Sequence, residues 1–159
     1  MIIHSQRFGS FEVEDGDAIH FPEGLVGFPD ERSFVLLRLR EGSRVGWLQS
    51  TTNKILAFPV ISVDALEIDG PYTIGMTETE DGPFAVMAVV CAPPDAPPTV
   101  NLLAPIVVDV TARRGAQIFI ANQGFSTTDR LVFRRSPDSG GDHSHAGANG
   151  VSNVSSATL

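Results

Sequence analysis

The stretch that most constrains the fold is residues 99–110, TVNLLAPIVVDV, which carries no formal charge before Asp109 and has no equal elsewhere in the chain. Read with a period of two, Val100, Leu102, Ala104, Ile106, Val108 and Val110 give one wholly apolar face, and Asn101, Leu103, Pro105, Val107 and Asp109 a mixed one. That pattern predicts a central strand with one face on the core. Pro105 and the crowded, β-branched Ile106, Val107, Val108 and Val110 weigh against a helix: proline lacks the N–H an interior turn needs, and branched side chains lose rotamer freedom there. Pro105 cannot donate to a strand ladder either, so the chain should run at an edge or through a bulge at that point. A bulge would shift the parity of every residue after it.

At 159 residues the chain suits one domain with a substantial core. No apolar run approaches the ~20 residues that cross a bilayer, so no membrane association is expected. Residues 1–7, MIIHSQR, lack both a basic and an apolar leader region, which speaks against a secretory signal. The single Cys91 cannot make an internal disulfide and agrees with a reducing cytoplasm. Eleven basic residues against nineteen acidic ones, a net charge of -8, argue against direct nucleic-acid binding, which needs clustered Lys and Arg. The acids gather at Glu12, Glu14, Asp15, Asp17 and Glu23, and again at Asp64, Glu67, Asp69, Glu78, Glu80 and Asp81. Such clusters either steer a basic protein partner or keep the surface solvated.

Along the chain, Gly9-Ser10 suits a tight turn between two short strands, and Phe11, Val13, Ile19 and Phe21 alternate with polar residues. Residues 21–31, FPEGLVGFPDE, hold two prolines and two glycines around Leu25, Val26 and Phe28 and read as a structured loop. Strands follow over residues 33–40, 45–50 and 55–61, with one possible helical turn over residues 62–67 and a further strand over residues 72–76. Residues 84–92, FAVMAVVCA, predict a buried strand beside residues 99–110, joined to it by the stiff PPDAPP link. Residues 116–120 return with Ile118 and Ile120 on one face, and a last weak strand falls over residues 131–133. Residues 136–159 are rich in Ser, Gly, Ala and Asn, without aromatic or basic residues, and are expected to be disordered. The predicted fold is all-β: a small antiparallel β-barrel-like domain or a sandwich over residues 1–135, with little or no helix, followed by the tail.

Catalytic constellations are scarce. None of GxSxG, HExxH, CxxC or a phosphate-cradling glycine loop occurs. His143-Ser144-His145 has only the spacing of half a metal site, so neither a metal nor a cofactor is expected. Cys91 reads as a small core residue and Trp47 as core. Asn101 is polar inside the most apolar stretch, and its amide should bond a neighbouring loop or serve an interface. Leu25 and Phe28 sit in a Pro/Gly loop that cannot easily bury both, so the loop is either an apolar anchor for a partner or a lid over the barrel mouth. A small-ligand barrel with Trp47, Phe58 and Tyr72 lining a cavity is the alternative.

Several stretches taken together resemble the bacterial flagellar assembly factor FliW family: Phe8-Gly9, FPEGLVGF at residues 21–28, FVLL at 34–37, WLQS at 47–50, LAFPV at 56–60, NLLAPIVVD at 101–109 and RRGAQIFI at 113–120. The ordered set covers residues from about 8 to about 133, and its order is more specific than any one piece. Departures are Val26, where the family usually has proline, a shortened stretch around residues 68–81, and the long tail. The resemblance implies a non-enzymatic cytoplasmic protein of β-barrel-like fold that binds newly made flagellin. It also implies binding of the translational regulator CsrA, which is thereby kept from repressing flagellin mRNA, with no direct nucleic-acid contact and a monomeric free state. The loop over residues 22–28, through Leu25 and Phe28, is expected to meet flagellin, with the surface beside Asn101 and Pro105 as the contact instead if the loop is a lid, and the acidic Glu12, Glu14 and Glu23 are expected to favour CsrA.

Overall fold

The computed structural model describes residues 1–74, 83–135 and 155–156, and these residues are all-β apart from two 3-10 turns, Asp15–Asp17 and Val63–Ala65. A hairpin, β1 (Ile2–Ser5) and β2 (Gly9–Glu12), precedes the main sheet. The sheet contains β3 (Ile19–His20), β4 (Ser33–Arg38), β5 (Val45–Ser50), β6 (Ala57–Ser62), β7 (Phe84–Cys91), β8 (Thr99–Val100), β9 (Ile106–Asp109), β10 (Arg114–Gln117) and β11 (Asp129–Arg130). A two-residue strand, β12 (Ser155–Ser156), pairs with β4. The order β7-β6-β5-β4-β3-β10-β9 returns to β7 through the β7–β9 pairing, so seven strands close a barrel. Every junction of the ring is antiparallel except β3–β10, a parallel bridge between His20 and Arg114.

Strand alternation sorts the apolar residues into three clusters. Ile19, Phe21, Leu25, Phe34, Leu36, Leu48, Val60, Met87, Ile106 and Val108 fill the barrel interior. Val35 and Leu37, on the opposite face of β4, pack outward under the hairpin with Ile3, Val13, Phe8 and Trp47. Ile61, Ala88 and Val90 face outward from β6 and β7 and are covered by Val63, Leu66, Val100, Leu102, Tyr72 and Phe125. Both faces of β4 are therefore apolar, because both are covered. Pro59 is tolerated in β6 because the β7 ladder begins only at Val60.

Residues 99–110 do not form one strand. β8 and β9 both pair with the same edge of β7, at Val90–Cys91 and at Phe84–Met87, and residues 101–105 leave the ladder between them. The break expected at Pro105 is thus a five-residue excursion. Asn101 continues the ladder once, donating its N–H to Val89 O at 2.9 Å, and its Oδ1 accepts from Ala104 N–H at 3.0 Å to close the turn.

Other expectations shift. The first hairpin turns over residues 6–8, where Ser5 Oγ accepts from the N–H groups of Arg7 and Phe8, and Gly9 at φ 76° begins the return strand. Trp47 is only half-buried, against Phe8 and under the Arg7 guanidinium. Cys91 is exposed, because it ends β7 beyond the covered part of the sheet. The return after Asp109 starts at Arg114, earlier than expected, and the short strand expected over residues 131–133 is instead Asp129–Arg130, with Phe133 making a lone bridge to Leu66. Residues 72–74 are not in a strand. The expected acidic turn around Glu78, the His143-Ser144-His145 pair and, apart from β12, the tail expected to be disordered fall outside the described residues. Among the described residues no helix is long and apolar enough to cross a membrane.

Candidate functional site

One end of the barrel gathers the loop over residues 21–32, the turn over residues 51–56 and the excursion over residues 101–105. The loop is fixed by its glycines. Gly24 and Gly27 sit at φ 67° and 84°, and Leu25 and Phe28 exchange backbone hydrogen bonds of 3.2 and 2.7 Å around a tip formed by Val26 and Gly27. A side chain at Gly24 would meet the backbone of Pro29 at 2.7 Å, so only glycine fits there. Gln117, at the end of β10, ties the mouth together: its Oε1 accepts from Val26 N–H at 2.9 Å and its Nε2 donates to Ala104 O at 3.0 Å.

The neighbouring turn is held from inside. Fully buried Gln49 donates from Nε2 to the carbonyls of Ser50, Asn53 and Leu56 at 3.0–3.1 Å, and its Oε1 accepts from Ser5 Oγ at 2.7 Å. Glu31 accepts from Ser50 Oγ at 2.8 Å and Thr52 Oγ1 at 3.0 Å, and the Ser50 hydrogen bond lowers its pKa below the usual 4.5. Loop and turn are thereby rigid before any partner arrives.

Two cavities meet at Val26. A mouth cavity of about 360 Å³ is lined by Leu25, Val26, Phe58, Asn101, Leu103, Gln117 and Phe119 among others. A groove of about 710 Å³ runs along the outer wall of β9 and β10 and is lined by Pro22, Glu23, Val26, Phe84, Val107, Asp109 and Arg114 among others. Neither is lined by His, Cys, Lys or Ser, so the walls offer apolar contact with a few polar anchors. Val26 and Phe119 are 73% and 68% exposed, and Phe28, packed edge-on against Phe58 at 5.4 Å, is 37% exposed. Exposed apolar groups clustered on a hydrogen-bonded frame have the character of a recognition surface.

The structure brings Leu25 and Asn101 together at this mouth, with Phe28 at its rim, but it alters their parts. Leu25 is buried in the barrel interior, so it plugs the mouth and presents nothing. Pro105 is also buried, its carbonyl accepting from Ile118 N–H at 2.9 Å. Glu23 is exposed on the groove, whereas Glu12 and Glu14 are exposed on the hairpin and line neither cavity. Val26 was read as one of the loop's apolar residues, but Phe119 and Gln117 were not singled out by sequence. The alternation that puts Ile118 and Ile120 on one face leaves Gln117 and Phe119 on the other, and that signal could have found them. Trp47, Phe58 and Tyr72 belong to three different clusters, so they do not line a common ligand cavity. Burial, with Asp129 as a second cause, pushes the Tyr72 hydroxyl up to about 12, and the group donates to Leu102 O at 2.7 Å as a structural bond.

Fold and site define a small closed β-barrel with an exposed apolar surface at one mouth. The FliW protein family matches residues 2–131. The flagellar assembly factor FliW of Heliobacterium modesticaldum is 33% identical over 140 residues, covering 82% of this chain and 90% of that protein. That of Bdellovibrio bacteriovorus is 35% identical over 138 residues, covering 82% and 79%. A crystal structure of the flagellar assembly factor FliW superposes with a TM-score of 0.69 at 28% identity, covering 82% of this chain and 96% of that one. The chain belongs to the FliW family of flagellar assembly factors.

Proposed function

We propose that this chain acts in the cytoplasm, as a binding protein without cofactor or catalytic step, by capturing flagellin at the barrel mouth. In the same reading it binds CsrA in flagellin's absence, so that flagellin synthesis follows flagellin export. Support comes from the family and from one observation above all: Val26, Phe28 and Phe119 stand exposed around a mouth that Gln117, Gln49 and Glu31 hold rigid. Apolar anchors on a preorganised frame suit a partner whose own apolar surface is exposed before assembly. The exposed acids Glu12 and Glu14, which line neither cavity, support a separate electrostatic contribution to CsrA encounter. A competition experiment tests the reading. The purified chain is loaded with CsrA and titrated with flagellin monomer; release of CsrA as flagellin binds supports it, and failure to retain either protein refutes it.

A further inference from the structure

The barrel end opposite the mouth gathers arginines, beside the acids Glu41 and Asp64, in a chain whose net charge is -8. Five of its eleven basic residues gather there: Arg38 ends β4, Arg40 and Arg44 flank the β4–β5 turn, and Arg134 and Arg135 join them. Arg44 fixes the arrangement, donating from Nη1 to Arg134 O at 3.1 Å and stacking over Phe133 at 5.1 Å. Arg38 and Arg44 rim a small cavity of about 140 Å³ whose floor is Leu36, Val60 and Met87. Among the described residues, no carboxylate forms an ion pair with Arg38, Arg40, Arg134 or Arg135.

The edge of β4 is open at the same place. β3 pairs with β4 only at Ser33 and Phe34, because the chain before Ile19 turns away through Asp15–Asp17. Beyond that point the edge carries β12, with Ser155 opposite Arg38 and Ser156 opposite Leu37. An unpaired edge is a template for a further strand, and this one already accepts one.

We propose that the β4 edge at Leu37 and Arg38 is a β-addition site for an extended acidic peptide segment of a partner protein, which displaces Ser155–Ser156 and sets a carboxylate opposite Arg38. Directly opposed residues of an antiparallel pair share one face of the sheet, so that position places an acid beside the guanidinium and over the small cavity. The chain's own strand holds a neutral serine there and leaves the charge unmatched by its partner in the ladder. A peptide is favoured over nucleic acid because the available edge is a backbone ladder, which another extended backbone completes. This reading does not depend on the flagellin contact at the other end.

The test uses the full chain and fluorescently labelled peptides with the sequence of residues 151–159, either unchanged or carrying Ser155→Asp or Ser156→Asp. The Ser155→Asp peptide should bind about fivefold more tightly than the unchanged one, as one favourable cross-strand ion pair allows. Ser156→Asp, which faces the other side of the sheet, should gain nothing. The gain should disappear with Arg38→Ala and in ~1 M salt, where the Debye length is about 3 Å. An Arg38→Glu variant with an unchanged melting profile should prefer a Ser155→Lys peptide instead. Equal binding of all peptides, no binding of any, or a gain that survives Arg38→Ala would overturn the proposal. So would an oligouridine that displaces the Ser155→Asp peptide and depends on Arg38, because the arginine cluster would then be a nucleic-acid surface.

Discussion

Replacing Gly115 with alanine tests how the barrel closes. Gly115 lies on β10, opposite Val108 of β9, and its inner face is occupied by the ring of Phe21. A methyl group there would stand 2.5 Å from Phe21 Cζ and 3.0 Å from Cδ1, with Cε1 also in the way. The ring cannot step aside, since Phe21 is fully buried and packs edge-on against Phe34 at 5.4 Å. Forcing an extra methyl into such a site costs ~1–3 kcal/mol. At about 2 kcal/mol, and about 3–5 °C per kcal/mol for a domain of this size, the melting temperature should fall by about 6–10 °C. Gly16→Ala is the control, because nothing lies within 4 Å of a side chain there. Phe21→Leu should cost stability alone but recover part of the Gly115→Ala loss in the double variant, a coupling that a double-mutant cycle reads directly. Thermal melts of the five proteins decide the matter. A Gly115→Ala variant as stable as wild type, or strictly additive losses, would refute the argument that the absence of a side chain lets β10 pass over Phe21.

Three further outcomes follow from the packing. Gln49→Ala should cost about 1–3 kcal/mol in denaturant unfolding, because it empties a fully buried site, removes the side-chain ties to the 51–56 turn and leaves the buried Ser5 hydroxyl without its acceptor. Glu31 has a depressed folded-state pKa, so its contribution is present above the unfolded value near 4.5 and is lost as pH falls through the lower folded one; the stability gap between wild type and Glu31→Gln should close below about pH 4 in pH-dependent melts. Leu102→Asp should unfold the protein because Leu102 is 4% exposed, whereas Leu103→Asp, at the half-buried mouth, should leave a folded domain by circular dichroism.

Period-two alternation was legible wherever a strand has one covered face or two, which is why β4, β5, β6 and β7 lie where the sequence places them. It failed over residues 99–110 because one apolar run serves two places on a single neighbour, and no local signal says that β7 is long enough to pair with both β8 and β9. Cys91 misled for a related reason: its apolar neighbours are covered by loops far away in sequence, and the cover stops one residue short of it. The site was half legible. The Pro/Gly loop announced itself, but which of Leu25, Val26 and Phe28 points outward depends on the Leu25–Phe28 bridge, a geometry set by Gly24 and Gly27. The arginine cluster could not be read, since Arg44 and Arg134 are brought together only by the fold.

The most direct measurement of the central claim is calorimetric titration of flagellin monomer into wild type, Val26→Ser with Phe119→Ser, and Ile2→Ser. All three sites are strongly exposed, at 73%, 68% and 67%, so none of the variants should disturb the core. Ile2 lies on the hairpin, away from the mouth. The mouth variant should lose about 2 kcal/mol or more of binding free energy, roughly thirtyfold in Kd, with its melting profile unchanged, while Ile2→Ser binds as wild type does. Wild-type affinity in the mouth variant would contradict the account and move flagellin capture away from the barrel mouth.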